Sequence, residues 1–219
     1  MAVTLSTGAT YKIASAYSAS KSFTSLSNAA EAVASFSADP TLTAGDYIEV
    51  TSGWGRLDKQ IVRVKSITGT GPYLVTFEGR DTSDTSKYPS GSGTGSIRKI
   101  TTWTALSQLK GISASGGDQQ YADITAIDDV VERKVPTIRS AVTMDIEAYD
   151  DPSLAWYTAV QTASDSSTPY GLLATFPNGS NLCASSYWGL QKVPQINKNE
   201  AMTTKISLSY AAQPMRYSN

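Results

Sequence analysis

The sequence of 219 residues contains no histidine and a single cysteine, Cys183. Without histidine the chain lacks the commonest metal ligand and general base, and one thiol excludes an internal disulfide or a multi-cysteine metal site. A serine nucleophile would then depend on lysine, and no spacing marks such a pair. We therefore predict no enzyme activity, no cofactor and no metal, and we interpret Cys183 as a small core residue.

Charged residues are also scarce, at 17% of the chain, and the formal net charge is -1. This balance argues against a protein that holds nucleic acid by neutralising phosphates. No run of about 18 apolar residues occurs, and the opening MAVTLSTGATYK lacks the charged and apolar regions of a secretory signal. We expect a soluble product without a membrane partner, folded without export by a cleaved signal peptide.

The clearest pattern is a period of two in IRSAVTMDIEAY, residues 138–149. Apolar residues occupy the even positions, apart from Ser140, and polar residues occupy the odd positions Arg139, Thr143, Asp145 and Glu147. Such alternation predicts one long strand with a dry face and a wet face. MTTKISLSY, residues 202–210, alternates in the same way and predicts a second strand of this kind.

A helix is expected directly after the first of these strands. Asp151 is suited to cap its N-terminus and Pro152 to be its first residue, which places the helix at about 152–163. Asn178-Gly179 predicts a tight hairpin turn between YGLLATF and NLCASSYWGL. Four strands and one helix then predict an antiparallel sheet, covered on its dry face and polar on the other.

The rest of the chain divides by composition. Residues 1–39 are rich in Ser and Ala and predict a docking segment with a possible strand at Thr10–Ala14 and a weak helix around Ser27–Phe36. Residues 40–102 hold short β-branched runs between glycine turns, typical of a small β-barrel-like subdomain. Residues 103–219 contain the main sheet and a long loop at 113–135.

Six motifs occur in a recognisable order: GDYIEVTSGW, FEGRDTSDTSKYPSGSGTGSIRKITTW, SGGDQQ, DDPSLAW, FPNG and QPMRY. From about residue 8 to the C-terminus, the chain thereby resembles the tail tube proteins of long-tailed, non-contractile bacteriophages. The resemblance implies a mainly β fold with two packed antiparallel sheets in a sandwich or barrel-like tube fold. One flanking helix is implied, and residues 40–102 become an inserted small β subdomain.

The resemblance also implies a function. Six copies would close into a ring, and rings would stack around the tape-measure protein into a tube that later conducts DNA. The implied partners are further copies of the chain, the tape-measure protein, the tail terminator and tail-tip proteins, with DNA only transiently in the lumen and not bound by sequence. The implied location is the virion tail, assembled in the host cytoplasm.

Carried onto this sequence, the resemblance places strands 138–149 and 202–210 in the inner sheet. The lumen-lining candidates are its polar residues Thr143, Asp145, Glu147, Thr203, Lys205, Ser207 and Ser209. A mixed, hydroxylated wall lets a polyanion slide, and we expect Arg139 and Lys205 to be paired across strands or subunits. The inter-ring candidates are the N-terminal segment and the loop at 113–135, with Gly116, Gly117, Asp118, Gln119, Gln120 and Tyr121.

One alternative keeps the β fold and changes the function. Exposed Trp54, Tyr187 and Trp188 could stack on sugar rings, which would suit a carbohydrate- or surface-binding sandwich of a phage tail. The wet face of the sheet would then be simply solvated in a monomer.

Overall fold

A computed structural model describes residues 7–218 and shows a mainly β chain with one α-helix. The strands are β1 (Thr10–Tyr17), β2 (Lys21–Phe23), β3 (Ser25–Leu26), β4 (Val33–Phe36), β5 (Tyr47–Ser52), β6 (Ile61–Thr68), β7 (Tyr73–Phe77), β8 (Gly95–Leu106), β9 (Leu109–Ser115), β10 (Gln119–Asp123), β11 (Lys134–Arg139), β12 (Thr143–Tyr149), β13 (Tyr170–Thr175), β14 (Asn181–Leu190), β15 (Thr203–Tyr210) and β16 (Met215–Tyr217). The helix α1 (Ala155–Ser166) lies between β12 and β13.

The strands pair antiparallel along one continuous path, β3-β4-β7-β6-β5-β8-β1-β13-β14-β15-β12-β9. The long strand β8 joins two halves of this sheet, because its beginning pairs with β5 and its end pairs with β1. We call β2 to β7 with the start of β8 the first half, and the remaining strands of the path with α1 the second half. The predicted fold class, mainly β and antiparallel with one flanking helix, is confirmed.

The first half has its own hydrophobic core, in which Phe23, Phe36, Val64 and Phe77 are buried together. The helix expected around Ser27–Phe36 is wrong, because residues 33–36 form strand β4 and pair with β7. Ala34 and Phe36 point into the core and alternate with more open residues, which is the period of a strand. The boundary expected at residue 40, between the docking segment and the inserted subdomain, therefore separates strands that share one hydrophobic core.

The second half packs α1 onto the dry face of the sheet, where the helix lies mainly against β14 and also against β8 and β1. Trp156 and Val160 of the helix are buried in one cluster with Ile146 and Ile206 of the strands. The helix begins at Ala155 rather than at Pro152, with Leu154 in the N-cap position. Asp151 does not cap it, because its carboxylate accepts hydrogen bonds from the backbone N–H and hydroxyl of Ser153 in a local turn.

The expected hairpin turn is confirmed, since β13 pairs with β14 across residues 176–180 and Gly179 has a φ of 79°.

The single strand expected at 138–149 is divided in two. Residues 140–142 interrupt it between β11 and β12, at the position where Ser140 breaks the apolar pattern. The long loop expected at 113–135 is also wrong over much of its length, because it contains the end of β9 and all of β10.

A third cluster joins the two halves through the single cysteine. Cys183 is buried, and its thiol donates to the carbonyl oxygen of Ile61 at 3.2 Å. Burial raises the pKa of this thiol to about 12, so it behaves as an unreactive core residue. Tyr217 closes the same junction, since its hydroxyl accepts a hydrogen bond from the backbone N–H of Arg63 at 2.9 Å.

Candidate functional site

The wet face of the second half is a band of small polar side chains on four neighbouring strands. Directly paired residues of an antiparallel sheet point to the same face, so the strand register defines rows across this band. The rows are Ser115, Thr143, Ser209 and Tyr187; then Ser113, Asp145, Ser207 and Gly189; then Gly111, Glu147 and Lys205. The predicted candidates thus share one face, while Met144, Ile146 and Ala148 are buried on the other.

Both lysines of this face are paired with acids. The Lys205 ammonium lies 2.9 Å from the Asp145 carboxylate, as expected for Lys205, and the Lys110 ammonium lies 3.0 Å from the Glu147 carboxylate. Lys110 was not foreseen, because it is the extra residue of a bulge: Gly111 pairs with Glu147 and Leu109 pairs with Ala148. A bulge re-aims the side chain of its extra residue.

The Lys110–Glu147 contact changes the titration of both groups. The hydrogen bond from Lys110 holds the pKa of Glu147 below its ordinary value, with a smaller contribution from the Thr203 hydroxyl. The pKa of Lys110 is raised by the same hydrogen bond and by the charge of Glu147. The four charges of this face, two acidic and two basic, therefore compensate one another locally.

Thr203 departs from the expected open wall, because it is only 6% exposed. The segment before β15 folds back along this end of the strand. The Gln195 N–H donates to the Thr203 carbonyl at 2.7 Å, and the Thr203 N–H donates to Gln195 at 3.2 Å. Six of the seven lumen candidates remain at least partly accessible. The hydroxyl of Thr203 instead contributes to the lowered pKa of Glu147.

The four strands of this face end in two edges without a strand partner among residues 7–218. On one side β9 pairs only with β12. On the other side Tyr187–Leu190 of β14 pairs only with β15, because β13 pairs with β14 no further than Ser186. The Leu190 N–H is satisfied by the hydroxyl of Ser164 at 3.3 Å. Unpaired edges are sites at which another chain can add a strand.

Beyond Gly116-Gly117, the chain forms a two-stranded hairpin of β10 and β11, residues 118–139, which we call the arm. Both glycines have positive φ, 82° and 84°, and a Cβ on Gly116 would lie 2.0 Å from the Ala141 carbonyl oxygen. Only glycine suits this bend. The inter-ring candidates Gly116 and Gly117 form the bend, while Asp118, Gln119, Gln120 and Tyr121 belong to the start of the arm.

The arm exposes apolar side chains in a loop that contains several internal hydrogen bonds. Ile127 and Val130 are 109% and 99% exposed, and Ile124 and Val131 are also exposed. The Asp123 carboxylate accepts from the N–H and hydroxyl of Thr125, and the Asp129 carboxylate accepts from the Ala126 N–H. These apolar residues were visible in the sequence, inside a segment that was predicted to be a polar loop.

The carbohydrate-binding alternative requires exposed aromatic rings, but two of its three candidate residues are buried. Trp54 and Trp188 are 2% and 5% exposed, so the expectation that they are exposed is wrong. Trp54 packs against Tyr88, and its indole N–H donates to the Pro89 carbonyl at 2.8 Å. Of the three, Tyr187 alone is exposed, and one ring does not make a sugar platform.

Residues 7–218 contain no group of three or more potential metal ligands, and no helix among them is long and apolar enough to cross a membrane. The same residues form a β protein with a polar sheet face between two unpaired edges and a projecting arm. A family model described as phage tail tube protein, TTP, matches residues 52–219, and the chain belongs to this family. This is a family of structural tail tube proteins and not an enzyme family. As a member of it, the chain is a component of the virion tail.

No curated protein matches the chain. Among solved structures, it is similar to the tube-terminating cap of the anti-feeding prophage, with 18% identity, a TM-score of 0.37, and coverage of 49% of this chain and 79% of that chain. It is also similar to a chain of the extended sheath–tube complex of an extracellular contractile injection system, PVC. That match has 15% identity, a TM-score of 0.35, and coverage of 49% and 80%.

Proposed function

We propose that copies of this tail tube protein close into rings through β9 and β14, with the polar face lining the channel. The observation that carries the proposal is the position of this face between two edges that lack strand partners within residues 7–218. The rings, six-fold as the sequence resemblance implies, stack around a tape-measure protein into a tube. The tail terminator and tail-tip proteins cap its ends, the subunits are made in the host cytoplasm, and the protein catalyses no reaction.

Strand direction supports pairing between these particular edges. β14, β15, β12 and β9 are successive antiparallel neighbours, so β9 runs opposite to β14. When β9 of one copy is placed beside β14 of the next, the antiparallel alternation continues without interruption. Rotation about one axis then produces a closed barrel with four strands from each copy, and closure removes both free edges of the polar face.

The charge of the face supports passage of DNA without retention. Each lysine of the face has a carboxylate within 3.0 Å, which reduces its attraction for phosphate. The other side chains are mainly hydroxyls, including Thr143, Ser207 and Ser209. DNA therefore contacts this wall transiently and without sequence-specific binding.

Ile112 provides a direct test of the edge pairing. It pairs with the buried Ile146 and so lies on the dry face, yet it remains 36% exposed because β9 is the edge. We expect wild-type protein to form rings or hollow filaments in electron micrographs. Ile112→Asp introduces a charge that a neighbouring copy would bury, so this variant stays folded but monomeric.

Ser113→Asp is the matched control, because Ser113 is the next residue and points to the polar face. This variant is expected to assemble like the wild type. Thermal unfolding of each monomer checks that the substitutions act on assembly rather than on folding. Wild-type protein that remains monomeric at every concentration contradicts the proposal, as does Ile112→Asp protein that forms normal rings.

A further inference from the structure

Two exposed apolar groups lie at opposite ends of the same strands. The first is the tip cluster on the arm, formed by Ile124, Ile127, Val130 and Val131. The second is the docking patch, formed by Tyr149, Val193, Ile196 and Met202. Val193 and Ile196 are 73% and 72% exposed. Several exposed apolar side chains in one segment indicate an interaction surface.

The register of β12 fixes the arrangement of the two groups. The arm leaves the sheet where β12 begins at Thr143, whereas Tyr149 ends the same strand. At that far end the Gln195–Thr203 bridge brings Ile196 next to Met202, and the Asp150 N–H donates to the Met202 carbonyl at 3.0 Å. Six residues of strand separate the two ends by about 20 Å. One copy therefore presents the tip cluster at one end and the docking patch at the other.

The charges around the two groups are complementary. The tip carries Asp128, which makes no ion pair within the described residues, beside Asp129 and Glu132, which pair with Arg133 and Lys134. Three residues of the docking patch, Val193, Ile196 and Met202, lie in the segment 191–202, which contains two lysines and one acid and so has a formal charge of +1. Lys192 pairs with Asp165, Glu200 accepts a hydrogen bond from the Asn197 side chain, and Lys198 likewise makes no ion pair among residues 7–218. Complementary charges at the rim of an apolar contact orient the partners.

We propose that the tip cluster of one copy docks on the docking patch of a second copy in the adjacent ring, with Asp128 close to Lys198. This inference rests on the proposed function, and it names both surfaces of the contact between rings. The two surfaces differ, so the contact is head-to-tail and leaves one free surface of each kind. Such a contact repeats along an axis, which extends a ring into a tube.

Cysteine crosslinking in assembled tubes tests the contact. The double variant Val130→Cys with Ile196→Cys places one thiol in each surface, and the buried Cys183 gives no background. A short bismaleimide should produce a ladder of dimers and higher multimers on a denaturing gel. Val130→Cys with Thr85→Cys is the matched control, because Thr85 is exposed on the first half of the sheet, and this variant should give no ladder.

Charge reversal provides a second measurement that does not depend on a reactive thiol. Asp128→Lys and Lys198→Asp should each shorten the tubes, and the double variant should restore their length. Tubes that give no ladder with Val130→Cys and Ile196→Cys overturn the inference, as does a double reversal no longer than the single ones. Wild-type protein that forms no rings overturns the proposed function itself, whereas rings with unaltered stacking in these variants overturn only this inference.

Discussion

The first half of the sheet and the arm are both built from short antiparallel strands, but they use apolar residues in opposite ways. In the first half, Phe36, Val64 and Phe77 are buried against one another. In the arm, Ile127 and Val130 are open to water, and no residue of 118–139 belongs to a core cluster. The first half therefore holds its own stabilising contacts, whereas the apolar surface of the arm would gain its contacts from a second copy in the contact that we propose.

This difference extends to what holds each region in shape. The first half combines its core with ion pairs, such as Arg98 with the buried Glu49 at 2.9 Å. The arm relies on its backbone ladder, on local hydrogen bonds that the carboxylates of Asp123 and Asp129 accept, and on two exposed ion pairs between residues close in sequence. A region held only by local bonds opens at low free energy. Substitutions should consequently act on stability in the two halves of the sheet and on assembly in the arm.

The largest expected effect comes from a charge on the dry face. Ile206 is fully buried between α1 and the strands, and Ile206→Asp leaves an unpaired carboxylate there. We expect a loss of more than about 4 kcal/mol in the free energy of unfolding, enough to prevent folding. Ser207→Asp, one residue along and on the polar face, should fold. Circular dichroism during thermal unfolding measures both, and a folded Ile206→Asp protein would show that α1 does not cover this face.

The next effect contrasts the two regions directly. Phe77→Ala removes a fully buried ring from the first half and should lower the free energy of unfolding by about 3–5 kcal/mol. Ile127→Ala in the arm should change it by less than about 0.5 kcal/mol, because the side chain has no contacts to lose. Urea unfolding measures both values. The same Ile127→Ala protein should nevertheless form shorter tubes, and a large stability loss there would place the arm within a core.

How far the sequence predicts this molecule depends on the range of the interactions. The faces of β12 and β15 follow from alternation alone, because the period of two is local, and Met144 and Ile206 are buried as expected. The predicted helix start is wrong because the Asp151 carboxylate accepts a hydrogen bond from the Ser153 N–H instead of capping the helix. Only Ser140 marks the break between β11 and β12 in the pattern.

The functional surfaces show the same limit more strongly. The lumen candidates are side chains of two alternating strands, so their common face was predictable. The open edges were not, because they depend on which distant strands pair: β13 pairs with β14 no further than Ser186, and β9 pairs with β12 alone. Lys110 lies on the polar face only because it is the extra residue of a β-bulge. The neighbouring sequence gives no signal for that bulge.

A smaller effect is expected at the bend that joins the arm to the sheet. Gly116→Ala forces a positive φ on a residue with a Cβ and sets that atom against the Ala141 carbonyl. We expect a cost of about 1–3 kcal/mol, seen as faster hydrogen exchange in the arm. Gly111→Ala is the matched control, since its Cβ meets open space, and this variant should equal the wild type. Unchanged exchange in Gly116→Ala would mean that the bend tolerates a side chain.

The smallest effect is electrostatic and compares one carboxylate of the polar face with one of the arm. The pKa of Glu147 is lowered chiefly by the ammonium of Lys110, whereas the pKa of Asp123 is lowered by the uncharged hydroxyl and N–H of Thr125. Because both folded-state pKa values lie below the unfolded ones, each contribution to stability is present above the unfolded pKa. It is lost as the pH falls through the folded value.

Salt separates the two causes, because ions screen a charge pair between exposed groups but not a hydrogen bond between a carboxylate and a neutral donor. In NMR titrations, added salt should move the pKa of Glu147 up towards its ordinary value and leave that of Asp123 nearly in place. Lys110→Met should have the same effect on Glu147 at low salt. Equal salt responses at the two sites would mean that Lys110 does not pair with Glu147 in solution, and the proposed channel wall would then present an unpaired ammonium that attracts phosphate.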